Sequence, residues 1–118
     1  APVGVDVEKI RDARMNVASR YFSHDEINML SNMPTKVQQD QLFYQLWTAR
    51  EAYLKFLGTG ISYGLTKFSI EKLCSGGFRV SDPKGVNCKL TLYPMNELYQ
   101  LALCTQPEDE VVLSKAVI

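Results

Sequence analysis

Apolar and polar residues alternate from Val3 to Glu8, with Val3, Val5 and Val7 interleaved by Gly4, Asp6 and Glu8. That two-residue period predicts a β-strand. Residues 13–22 (ARMNVASRYF) read as a short helix. Ser23 followed three residues later by Glu26 is a capping box, and it predicts a second helix through about Leu30. Pro34 suits a first helical turn. From there to Leu57, Phe43, Leu46, Trp47, Leu54 and Leu57 fall on one stripe at helical spacing, with Gly58-Thr59-Gly60 as a stop. Beyond residue 67 the period changes. Strands are predicted at 68–73, 78–80, 86–94, 98–105 and 111–117, separated by Gly77, Pro83-Lys84-Gly85, Asn96 and Pro107. Ser75-Gly76-Gly77 and Asp82-Pro83-Lys84-Gly85 read as hairpin turns. A strand, then helices, then a run of strands predicts an α+β fold, a mostly antiparallel sheet packed against one long helix plus short helices.

Composition narrows the function classes. The chain has 118 residues, which fits a single domain over 1–118, and it is 46% hydrophobic and 22% charged, a globular balance. Thirteen basic and thirteen acidic side chains cancel, so a general nucleic-acid binder is disfavoured. Cys74, Cys88 and Cys104 are odd in number and far apart, a poor disulfide or metal pattern that fits a reducing, cytoplasmic setting. No apolar run reaches the ~18 residues a membrane span needs, so no membrane partner is expected.

Two short segments could carry chemistry. Asp6 and Glu8 are two apart on a strand, so their carboxylates share a face and repel unless solvated or bridged by a cation. Hard oxygen donors of this kind suit Mg²⁺. Alone, the pair reads first as the exposed polar face of an edge strand. On the long helix, Trp47, Glu51 and Lys55 follow one another at four-residue spacing and stack on one face. Without the Trp this would be an ordinary surface ion pair; with it, a carboxylate at a cleft margin is the sharper reading.

Together the segments resemble a known signature. Gly4-Val5-Asp6-Val7-Glu8, then about forty residues, then Trp47-Thr48-Ala49-Arg50-Glu51-Ala52-Tyr53-Leu54-Lys55, is similar to the G-[IV]-D-x-E and W-x-x-[KR]-E-[AS]-x-x-K motifs of the phosphopantetheinyl transferase superfamily. Between them, Arg20-Tyr21-Phe22-Ser23-His24-Asp25-Glu26 resembles its R-F-F-S-x-x-E segment, and Gly58-Thr59-Gly60-Ile61-Ser62 resembles the loop after the helix. The likeness is to the C-terminal half of the surfactin-type enzymes. It implies Mg²⁺-dependent transfer of 4′-phosphopantetheine from coenzyme A to a carrier-protein serine, releasing 3′,5′-ADP. By the same resemblance Asp6, Glu8 and Glu51 hold the metal, Glu51 acts as general base, and Lys55 and Arg50 contact coenzyme A. Arg50 stands where Lys is commoner, and Glu26, an acidic position of the family, is explained as well by capping.

Other residues carry weaker signals. His24, in a first helical turn, is expected to be exposed. Gly58-Thr59-Gly60 follows a helix instead of opening one, so it is not a dinucleotide or P-loop fingerprint. Lys9, Arg11, Arg14 and Arg20 form a basic cluster that is either a solvated face or a dock for an acidic carrier. Two further readings stand beside the transferase half: a short, trimeric holo-acyl-carrier-protein synthase, and a non-catalytic half that only binds or supports a partner. Only one such helix and one D-x-E strand are present, so a monomer is expected to be incomplete and to need an N-terminal half or a homo-oligomer partner.

Overall fold

The computed structural model describes residues 2–58, 64 and 66–108. The order of elements is β1 (Val3–Lys9), α1 (Met15–Tyr21), α2 (His24–Ser31), α3 (Lys36–Leu57), β2 (Ser69–Lys72), β3 (Phe78–Ser81), β4 (Lys89–Met95) and β5 (Tyr99–Thr105). The fold is α+β, as the pattern predicts. Its strands divide into two antiparallel ladders, a three-stranded sheet in the order β1-β5-β4 and a β2–β3 hairpin.

Local chemistry accounts for most boundaries. Ser23 caps α2 through the predicted capping box, with Ser23 Oγ accepting from Glu26 N (3.2 Å) and Glu26 Oε1 accepting from Ser23 N (3.0 Å). Helix α3 opens at Thr35, whose hydroxyl accepts from Gln38 N, and ends at Gly58 in the left-handed region (φ 73°). The Ser75-Gly76-Gly77 turn closes the β2–β3 hairpin, with Gly76 at φ 94°. The Asp82–Gly85 turn forms too, but it is not a hairpin. It carries the chain from one ladder to the other, and β4 begins only at Lys89, paired with β5. The β4–β5 hairpin turns instead at Asn96 and Glu97, two consecutive residues at positive φ (52° and 60°), the requirement of a type I′ turn. The strand predicted over 111–117, and Thr59 to Ser62, lie outside the described residues.

Helix α3 is the core of the domain. Leu42, Phe43, Leu46, Ala49, Ala52 and Tyr53 are buried on it, against Ala18 and Leu30 from the short helices, Phe68 and Ile70 at β2, and Ala102 and Cys104 on β5. It crosses the face of the sheet that β1 presents through Gly4 and Asp6, both buried. The face of β1 carrying Val3, Val5 and Val7 is turned the other way, with relative exposures of 54%, 44% and 44%. The apolar half of the alternation is therefore outside and the polar half inside, the reverse of an ordinary half-buried strand.

Candidate active site

The inward face of β1 and the adjoining face of α3 bring four of the expected residues together. Lys55 Nζ donates to Asp6 Oδ1 (2.9 Å) and to the Val5 carbonyl (3.1 Å), which ties the last turns of α3 to the middle of β1. Asp6 is 7% exposed, and among the described residues its buried Oδ2 has no hydrogen-bond partner. Glu8 lies two residues along the same face, within side-chain hydrogen-bond reach of Asp6. Burial first, then Asp6 and the negative charge of Glu51, push its carboxyl up to about 7. Glu51 is raised as well, by burial and then by Asp6, against the opposing pull of Lys55. Lys55 is held above the usual ammonium range, chiefly by its bond to Asp6. Glu8 and Glu51 thus sit beside Asp6 and the Lys55 ammonium in a half-dehydrated margin, where both would be easier to ionise beside a further positive charge.

That donor set fits a hard divalent cation on one structural ground. A buried carboxylate oxygen without a donor is costly, and a cation is the partner its lone pairs lack. Among the described residues no three acidic, histidine or cysteine side chains stand close enough to enclose a metal by themselves. A Mg²⁺ ion, which keeps several waters and shares its shell with phosphate oxygens, does not require that they do.

Arg50 does not join this group, and its expected contact with coenzyme A is corrected by its position. It is fully buried on the opposite side of α3. Its Nη1 bonds to Glu26, and Nη2 bonds to the carbonyls of Tyr21 and Phe68 (both 3.1 Å). Its guanidinium lies between the rings of Phe22 and Phe68, 4.8 and 5.1 Å from their centroids. One residue along a helix rotates the side chain by about 100°, so Glu51 at the cleft obliges Arg50 to point elsewhere. Glu26 is equally buried, shared between the cap, Arg50 and Ser69 Oγ (3.3 Å), which makes it structural. His24 is exposed, as expected.

Trp47 stands one helical turn before Glu51 and anchors an aromatic wall. It stacks on Phe43 (6.5 Å, 7°) and Phe22 (6.5 Å, 29°), and Arg14 sits 5.9 Å over its ring. Beside this wall is an open cleft of about 410 Å³ lined by Glu8, Lys9, Arg11, Arg14 and Tyr44. Three members of the basic cluster therefore line the same cleft as Glu8. Arg20 lies instead over Tyr21, 6.0 Å from the ring. Asp12 is drawn off by Lys36, which also holds Asp40, while Asp40 accepts from Ala13 N (2.7 Å). Tyr44 and Asp40 carry no sequence signal. Each acquires its part by packing against a segment about thirty residues away.

Comparison with known proteins bears on the family and the fold. The family profile described as the 4′-phosphopantetheinyl transferase superfamily matches residues 2–104. The 4′-phosphopantetheinyl transferase psf-1 of Bacillus pumilus is 38% identical over 109 residues, covering 90% of this chain and 46% of its own length. The 4′-phosphopantetheinyl transferase Sfp of Bacillus subtilis (strain 168) is 30% identical over 118 residues, covering 96% and 52%. The chain thus spans about half the length of these relatives. A solved holo-(acyl-carrier-protein) synthase from Bacillus anthracis, in complex with CoA (3′,5′-ADP), has the same fold, with a TM-score of 0.76 at 18% identity over 87% of this chain and 92% of that one.

Proposed function

The chain belongs to the 4′-phosphopantetheinyl transferase superfamily, and from that premise we propose that it carries the metal-binding half of a surfactin-type enzyme, transferring 4′-phosphopantetheine from coenzyme A to a carrier-protein serine. The observation that carries the reading is the convergence of Asp6, Glu8 and Glu51 on Lys55 across the β1–α3 seam, with Asp6 Oδ2 buried and, among the described residues, without a hydrogen-bond partner.

In this reading Asp6, Glu51 and, with less weight, Glu8 would hold Mg²⁺. The ion would supply charge neutralisation to the diphosphate of coenzyme A. The chain's own residues do the rest. Glu51, whose affinity for a proton is raised by burial, accepts the proton of the carrier serine hydroxyl. The serine oxygen bonds to the phosphorus that bears pantetheine, and the bond from that phosphorus to the bridging oxygen breaks. The electron pair leaves with 3′,5′-ADP, and Lys55 offsets its charge. Lys9, Arg11 and Arg14 line the approach beside Glu8 and would receive an acidic carrier.

The partner we propose is a second unit of the same fold; the relatives, about twice as long as this chain, have room for one. It would cover the exposed Val3, Val5 and Val7 face of β1 and complete the coenzyme A site. Among the described residues no helix is long and apolar enough to cross a membrane.

A transfer assay with fluorescent coenzyme A and an apo carrier protein, with and without Mg²⁺, tests the activity. Metal-independent labelling, or none at all, overturns it in favour of another chemistry or a non-catalytic binding half. Light scattering tests the partner. A folded monomer of this chain that alone binds coenzyme A and modifies a carrier would remove the need for a second unit. A homotrimer would point to the short holo-acyl-carrier-protein synthase arrangement.

A further inference from the structure

We propose that Gly4 is a positioning residue for the acid site, because its missing side chain sets the distance between β1 and α3 at which Asp6 can reach Lys55 and Glu51. This rests on the reading of Asp6 and Glu51 as the reacting site.

The φ of Gly4 is not among the positive values in the chain, so backbone freedom does not explain a glycine there. Space does. A Cβ at Gly4 would stand 1.8 Å from the Ala52 carbonyl oxygen and 2.5 Å from the Phe56 amide nitrogen. Both are backbone atoms inside α3, and neither can rotate away as a flexible side chain could. No other described glycine in the chain is crowded in this way. The tightest point of the seam therefore lies between β1 and the turn of α3 that carries the acid site. Ala52 follows Glu51, and Phe56 follows Lys55. On the strand side, Asp6 is two residues from Gly4 and on the same face.

Both bonds made by Lys55 cross this seam, to Asp6 Oδ1 (2.9 Å) and to the Val5 carbonyl (3.1 Å). Any side chain at position 4 must lift β1 off α3 by roughly 1 Å, the scale of misplacement that disables a preorganised site. The lift would draw Asp6 out of reach of Lys55 and widen its gap to Glu51. A longer acid at position 6 should span the widened gap, which a merely structural role for Gly4 does not anticipate.

The test compares the parent with Gly4→Ala, Asp6→Glu and the double variant, in the complete protein. Carbodiimide condensation of the position-6 carboxyl with the Lys55 amine, read by mass spectrometry, reports the seam without metal or activity. Electron paramagnetic resonance of added Mn²⁺ reports the site's affinity for a divalent cation. Near-ultraviolet circular dichroism establishes the fold. Gly4→Ala should stay folded, lose most of the Asp6–Lys55 cross-link and bind Mn²⁺ about tenfold or more weakly. Adding Asp6→Glu to it should restore cross-linking and affinity, while Asp6→Glu alone should improve neither. A Gly4→Ala protein that is unfolded, that cross-links and binds like the parent, or that the longer acid does not rescue, overturns the proposal. A parent that cross-links in a Gly4-dependent way yet binds no Mn²⁺ overturns the magnesium reading and leaves the positioning role standing.

Discussion

Arg50 and Glu51 are neighbours in the chain and opposites in the fold. Arg50 points into the core, where Glu26 and two carbonyls take its terminal donors and two phenyl rings cover its faces. Glu51 points to the β1 seam, where it adds a third carboxyl group to Asp6 and Glu8, with Lys55, bonded to Asp6, offsetting them. The first cluster has its charge matched from within and fastens α2, α3 and the approach to β2 together. The second gathers three carboxyl groups around the Lys55 ammonium, and among the described residues Asp6 Oδ2 has no hydrogen-bond partner. Both clusters are conspicuous as charges in the sequence. Their balance of charge separates them, since each holds one buried polar atom without a hydrogen-bond partner, Arg50 Nε in the first and Asp6 Oδ2 in the second. A buried pair of opposite charges holds structure, whereas several carboxyl groups around one ammonium have a use for a cation.

The sharpest way to break this contrast is to remove one charge from each side. Asp6→Ala and Glu51→Ala should lower carrier modification by about 10²–10⁴-fold or more with the fold retained, as read by transfer kinetics and circular dichroism. Glu8→Gln should leave measurable activity, because water can replace one carboxylate on Mg²⁺. Equal losses for all three would undo the ranking, and an active Glu51→Ala would remove the site. Arg50→Ala should do the reverse, costing about 3–5 kcal/mol of stability by leaving Glu26 buried and unpaired. Arg50→Lys should recover part of that, since an ammonium cannot reproduce the planar fork. Chemical denaturation of both variants checks this, and an Arg50→Ala protein as stable as the parent would contradict the structural role.

Acidity separates the clusters more finely. In the metal-free protein the Glu8 carboxyl is raised from 4.5 to about 7, so the folded state binds more protons than the unfolded chain between those values. The stabilising share of a neutral Glu8 is complete below 4.5 and is lost as pH rises through 7. Melting temperature without metal should fall across that window, and Mg²⁺ should restore it most strongly at the alkaline end. A flat profile in Glu8→Gln would assign the effect; the same slope in that variant would assign it elsewhere. The smallest expected effect lies at the rim. Arg14→Glu should raise the KM for an acidic carrier severalfold at low salt and leave that for coenzyme A nearly unchanged, with the difference shrinking as salt screens it. Steady-state kinetics at two ionic strengths settles this, and an unchanged carrier KM would reject a docking role.

Much of this was legible before any coordinates. The capping box at Ser23 and Glu26, the stop at Gly58 and the Ser75-Gly76-Gly77 turn depend on neighbours a few residues apart, and each forms as its local chemistry requires. Strand and helix periods put Asp6 with Glu8 and Glu51 with Lys55 on shared faces, and the resemblance to the phosphopantetheinyl transferase signature singled these four out as candidates. Period alone does not say which face is buried. The alternation over Val3 to Glu8 reads identically with its valines inward or outward. Only the passage of α3 over Gly4 turns the acids in and the valines out. The same limit misplaced Arg50, whose motif position is adjacent to Glu51 but whose partners come from Tyr21, Glu26 and Phe68. It also made a hairpin of the Asp82–Gly85 turn, which is correct as a turn and wrong as a pairing, because strand partners are chosen across the whole sheet. The sequence by itself determined the elements, their order and the residues able to do chemistry, since these rest on interactions within a few positions. The tertiary structure alone decided which charges were satisfied and which were left incomplete, since that depends on what the fold brings against them from far along the chain.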